Sequence, residues 1–157
     1  MLGARFLLSS LFLSLALSMP ASACLQPPGG DALRHEALLW INQERGRVGL
    51  TAFRPSPVLD RAAQRHACDN AAHNRMSHTG SDGSWFGERI QRAGYSYRRA
   101  TENVALGYRD ARSVVAAWMR SPSHRQNVLD RGTHELGLGL ARGRDGRLHW
   151  VMVSGRR

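Results

Sequence analysis

The 157-residue chain contains no lysine. All 22 basic residues are arginine, against 12 acidic ones, for a formal charge of +10. Such uniform usage reads as codon bias rather than as a surface selected for one partner. The arginines stand singly or in pairs (Arg98-Arg99, Arg156-Arg157), without the long basic run and interleaved aromatics of a nucleic-acid binder. Specific nucleic-acid recognition is therefore not expected. The charge does attract anionic material, including lipid headgroups and envelope polymers. No H-E-x-x-H motif is present, which removes the most compact zinc-hydrolase signature. No nucleophile elbow surrounds Ser77 or Ser121, which weighs against Ser-His-Glu hydrolysis. There is no internal repeat and no second composition regime, so a single domain is expected.

The longest apolar run, Phe6 to Leu17, is interrupted only by serines and is shorter than the ~20 residues a spanning helix needs. Arg5 precedes it, and Pro20 with Ala21-Ser22-Ala23 follows. This is the order of a secretory signal peptide with a small-x-small cleavage site. Cleavage after Ala23 leaves 134 residues beginning at Cys24, with a charge of +9. The expected destination is secreted or periplasmic, with no transmembrane segment after cleavage. In an oxidising compartment Cys24 and Cys68 are candidates for one disulfide. A second reading stays open, in which Cys24, as first mature residue, is lipidated and anchors the protein. Residues 24–30, with two prolines and two glycines, read as a flexible lead-in to a domain spanning 31–157.

Helical periodicity predicts a helix from Asp31, as N-cap, to about Arg47, with Leu33, Ala37, Leu38 and Ile41 as its apolar stripe. Ser56-Pro57 starts a second helix to about Met76, whose many inward alanines imply close packing on a neighbour. A polar loop from Ser77 to Ser84 leads to a short helix over Trp85 to Arg92. Glu102 to Leu106 is expected to be extended. Asp110 to Arg120 is a further helix burying Val114, Val115 and Trp118, and Ser121-Pro122 restarts helix to about Leu129. Glu135 to Ala141 alternates leucines with glycines, Gly143 to Gly146 is a turn, and Leu148 to Val153 is a second strand, together a β-hairpin. Trp40 and Trp118 read as core. His35, His66, His73 and His134 read as structural or surface residues. Helices first and a hairpin last give an α+β class.

Three segments carry the chemistry. His78 stands in Met-Ser-His-Thr-Gly, Glu102 in Thr-Glu-Asn-Val-Ala, and His124 in the run Trp118-Met-Arg-Ser-Pro-Ser-His-Arg-Gln-Asn-Val-Leu129. In this order, followed by a glycine-rich hairpin bearing Trp150, they resemble the short bacterial branch of the CAP superfamily. That superfamily groups cysteine-rich secretory proteins, antigen 5 and plant pathogenesis-related proteins. The resemblance runs from about Leu33 to Val153. It implies a three-layer α-β-α sandwich around a central antiparallel sheet, and a broad His/Glu cleft that holds a divalent metal in some members. Carried onto this chain, the cleft residues are His78, Glu102, His124 and His149, and the metal candidates are His78, Glu102 and His124. The chain departs from the family pattern in three places. Thr101 stands where glycine is common, Val151-Met152 replaces Thr-Gln, and Ser121 occupies the second cleft glutamate's place.

Imidazoles with one carboxylate suit Zn2+ or another divalent ion, and an open position on it would hold water. Other roles for the same residues remain. His78 can complement the end of the second helix, Glu102 can satisfy loop amides, and His124 falls at N3 of a helix capped by Ser121. Arg125 and Asn127 are expected to tie down backbone. The resemblance implies a secreted, more binding than catalytic domain for a lipid-like or cell-wall-derived ligand, expected to be monomeric. A metal-dependent hydrolase using His78, Glu102 and His124 is the enzymatic alternative. An envelope-associated protein held by its arginines is the third.

Overall fold

The computed structural model describes residues 24–157. The proposed leader, residues 1–23, lies outside the described residues. Five helices and four strands follow in the order α1 (Gly30–Arg47), β1 (Arg54–Pro55), α2 (Pro57–Ala72), α3 (Phe86–Arg92), β2 (Arg99–Leu106), α4 (Ala111–Arg120), α5 (Pro122–Val128), β3 (Glu135–Arg142) and β4 (Leu148–Arg156). The sheet order is β1-β3-β4-β2. β3 and β4 form the anticipated hairpin, β2 pairs antiparallel with β4, and the two-residue β1 joins β3 in parallel. The sheet is thus antiparallel except at that short edge, and helices cover both faces.

One face, under α1 and α4, is filled by large side chains including Leu136, Leu138, Leu140, Trp118, Trp150 and Met152. On the opposite face α2 lies close against β3. A Cβ added at Gly137 would stand 2.1 Å from the Leu59 backbone, and one at Gly139 would stand 2.2 Å from the Ala63 carbonyl oxygen. Those glycines and the alanines Ala62, Ala63 and Ala67 are one device, since small residues on both elements let the backbones touch. Asp60 Oδ1 and Gln64 Oε1 then accept the Leu138 and Leu140 amides at 2.9 and 3.1 Å.

Cys24 is disulfide-bonded to Cys68 with Cα atoms 5.4 Å apart, so the lead-in is tied to α2. That closure across 44 positions stabilises by about 4 kcal/mol in the chain-entropy picture. The same sulfur cannot also carry a lipid thioether, so the disulfide reading of Cys24 displaces the lipidated one in this structure.

Several boundaries differ from the sequence expectation, each for a local reason. α1 starts from Gly29 at φ 68°, which leaves Asp31 inside the first turn rather than at the cap. α2 stops at Ala72, short of Met76, because Asn74 turns left-handed at φ 47°. β2 begins at Arg99 and β4 runs to Arg156, both longer than their apolar segments, because the two pair along their whole length. Trp40 is half-buried, not core; its indole donates to Glu36 at 3.1 Å. Among the described residues no helix is long and apolar enough to cross a membrane.

Candidate functional site

β2 is an edge strand, and the site is built on its outer rim. Glu102 is paired in register with Val153, on the α2 face of the sheet, and its side chain is only 1% exposed. A buried carboxylate needs partners, and this one has two. Arg89, on α3, donates from Nη2 to Oε2 at 2.7 Å, and also from Nη1 to the Ser84 carbonyl at 2.7 Å. His78, in the loop after α2, stands with Nδ1 2.9 Å from Oε1. Both carboxylate oxygens accept, so Nδ1 bears a proton and Nε2 is the His78 ring nitrogen left outside the pair. The His78 side chain is 54% exposed, so the pair joins a buried anion to the surface.

The loop presenting His78 is itself held from below. His66, on α2 and fully buried, lies with Nε2 2.7 Å from the Ser77 carbonyl, and Asn70 Nδ2 donates to the same oxygen at 3.0 Å. Burial pushes the His66 imidazole below its usual range, against the opposing pull of Glu102. His66 therefore sits neutral with Nε2–H donating, and the carbonyl next to His78 is fixed.

From the other side, α5 closes the rim. Asn127 Nδ2 donates to the Glu102 carbonyl at 3.0 Å and to Asn103 Oδ1 at 2.8 Å, while Asn103 Nδ2 donates to the His124 carbonyl at 3.0 Å. His124 is half-buried, and its pKa is lowered first by burial and then by the nearby His78. Between these parts lies an open pocket of about 430 Å³ lined by His78, Thr79, Trp85, Phe86, Ala100, Thr101, Glu102 and Asn127.

Residues 39–154 match the Cysteine-rich secretory protein family, CAP. The chain belongs to this family. It is 31% identical over 114 residues to the YkwD protein of Bacillus subtilis (strain 168), a match covering 72% of this chain and 44% of that protein. The chain thus spans less than half the length of that relative. Among solved structures, an extracellular protein containing a SCP domain from Bacillus anthracis superposes with a TM-score of 0.73 at 24% identity, covering 81% of this chain and 41% of the other. An outer surface protein from Borrelia burgdorferi gives 0.71 at 24% identity over 76% of this chain and 89% of its own. These structures share the α-β-α sandwich.

For a CAP chain the metal question turns on donor atoms. With Glu102 held at one oxygen by Arg89 and at the other by His78, direct ligation by Glu102 would compete with both partners. Among the described residues no three His, Cys, Asp or Glu side chains group to hold an ion. The imidazoles of His78 and His124 are the remaining candidate donors, near enough that His78 lowers the His124 pKa, with Glu102 behind His78. A carboxylate in that position orients a ligating histidine and raises its basicity.

His149 lies elsewhere. It pairs with Leu106 and Ala141, at the opposite end of β4 from the Val153 that faces Glu102. It is 1% exposed and packed against the hairpin turn, where a Cβ on Gly143 would come within 3.0 Å of its Nε2. The reading of His149 as a cleft residue thus meets a different geometry, because strand register separates it from the rim. Asn127 ties down backbone as expected, and His66, read as a structural histidine, does so next to His78. Arg89 and Asn103 were not singled out by sequence. No local sequence signal marked either one, because the partners of Glu102 come from separate elements.

Proposed function

We propose that this CAP chain is an extracytoplasmic binding protein that takes a cell-envelope ligand in the pocket on the β2 rim, with His78 and His124 able to hold a divalent ion at its mouth. The observation that carries the reading is Glu102, a buried carboxylate held between Arg89 and the exposed His78 at the floor of an open pocket. Burying a charge at an edge strand is costly, and here the cost is offset only by the pairs with Arg89 and His78. The names of two structural neighbours, an extracellular and an outer surface protein, support the location. A binding role is preferred to a hydrolytic one because Arg89 and His78 each engage one Glu102 oxygen, which holds the carboxylate in its ion pairs.

The test is co-sedimentation of the purified protein with insoluble bacterial envelope material in 1 M salt, which screens the arginine-rich surface. Wild type is expected to pellet, and Glu102→Gln to lose most of that binding. Pelleting that vanishes in high salt, or that Glu102→Gln leaves unchanged, would assign the association to surface arginines instead. Zinc titration followed through histidine 15N shifts tests the ion separately. His78 and His124 should move together, and His124→Ala should weaken binding at least tenfold. Equal zinc affinity in wild type and His124→Ala would remove the ion from the proposal.

A further inference from the structure

The pocket has one wall that the Glu102 cluster does not explain. Trp85 is 51% exposed, although the helix that it opens buries Ile90 and partly buries Phe86. An exposed tryptophan gives up much of the stabilisation its burial would bring, and this one is held in place while exposed. Phe86 packs edge-on to it, with ring centroids 4.6 Å apart at 70°. Its backbone N–H donates to Glu88 Oε2 at 2.9 Å. Gly87 has no side chain where the indole lies: a Cβ there would meet Trp85 Cζ2 at 2.6 Å and Tyr97 Oη at 2.2 Å. The indole is therefore a fixed platform at the edge of the pocket.

Opposite this platform the lining is polar. Thr79, Thr101 and Asn127 contribute hydroxyls and an amide, and His78 contributes the ring nitrogen that Glu102 does not engage. Both amide hydrogens of Asn127 are committed to Glu102 and Asn103, which leaves its Oδ1 as an acceptor. The pocket thus offers acceptors beside one flat aromatic face. An acyl chain would cover the indole but would strip water from His78, Thr79 and Asn127 with nothing in return. A pyranose ring matches both halves, because its axial C–H face stacks on an indole while its equatorial hydroxyls donate to acceptors at the rim. The volume of about 430 Å³ lies within the range of small-molecule pockets.

We infer that the β2-rim pocket is a carbohydrate subsite, in which Trp85 stacks a sugar ring of an envelope glycan and Asn127 and His78 receive its hydroxyls. This rests on the reading of the pocket as the binding site and names the class of ligand it takes.

The experiment adds a β-linked tetramer of N-acetylglucosamine to the purified full chain and follows the Trp85 indole N–H in 1H–15N spectra. Expected are a saturable shift of that resonance, at least tenfold weaker binding in Trp85→Ala, and a smaller loss in Trp85→Phe, which keeps an aromatic face. Because Trp85 is exposed, both variants should melt as wild type does. Absence of a saturable shift overturns the assignment. So does unchanged affinity in Trp85→Ala, or a Trp85-dependent capture of the protein by phosphatidylglycerol vesicles without any oligosaccharide binding. If the tetramer is ignored while Glu102-dependent pelleting on envelope material persists, the pocket reading stands and only the glycan falls. If both fail, both are removed.

Discussion

The two faces of the sheet bury their contents by different means. Under α1 and α4, large side chains fill the space, and the buried Arg45 spends its hydrogen bonds on backbone carbonyls, with the buried Asp130 carboxylate as its electrostatic counterpart. Its guanidinium donates to the Val128 and Asp130 carbonyls at 2.9 Å each and to Thr51 at 2.9 Å, and lies 3.6 Å over the Phe53 ring. On the α2 face, glycine and alanine bring backbones into contact. There the buried charge, Glu102, is met by side chains, one of them more than half exposed. Carbonyl partners are fixed by the fold and cannot be exchanged, so Arg45 is structural. Side-chain partners can be moved, protonated or engaged by a ligand, and the candidate site is found on their side.

Breaking the α2 face at its closest approach should have the largest effect. Gly139→Ala puts a methyl group against the Ala63 carbonyl, which no rotamer relieves, and is expected to cost about 4 kcal/mol or more. A thermal melt within a few degrees of wild type would show that α2 can lift off. Next is Arg45→Met on the other face. It keeps the packing but strands several carbonyls, for a loss of about 3 kcal/mol in denaturant unfolding. A neutral outcome would mean that water reaches those carbonyls.

Glu102→Gln should cost less stability, about 1 kcal/mol, because His78 can turn to solvent. Its effect on envelope binding should be large, and that split between stability and binding is the sharpest form of the comparison. The smallest effect is on pH dependence. Burial lowers the pKa of both His66 and His149, each on the α2 side of the sheet. The unfolded chain, titrating near 6.5, then takes up protons before the folded one. Stability should be full above about pH 6.5 and decline as pH falls below it. Hydrogen exchange should show α2 opening before α1, and uniform acid loosening of both faces would erase the distinction.

Much of this was legible in the chain itself. Local chemistry set the helix starts at Pro57 and Pro122, though neither the Ser56 nor the Ser121 hydroxyl makes the expected cap bond, and also the Asp110 cap accepting from the Ser113 amide at 2.7 Å and the Gly143–Gly146 turn, because such signals act within a few residues. Alternation in Glu135 to Ala141 put leucines on one face and glycines on the other, and the alanines of α2 announced close packing. The motifs around His78, Glu102 and His124 named the rim.

What stayed hidden depends on contacts between distant positions. β1, the full reach of β2 and β4, and the placing of His149 are consequences of register, which pairing partners decide. Arg45 looked like any helix arginine, since only the folded α5–β3 connection brings carbonyls to it. His66 looked like a helix-face residue because nothing nearby in sequence says that Ser77 returns to it. The residues fixed which atoms were available; the tertiary structure decided that Glu102 would be held between Arg89 and His78, because a buried charge takes whichever donors the packing places within reach.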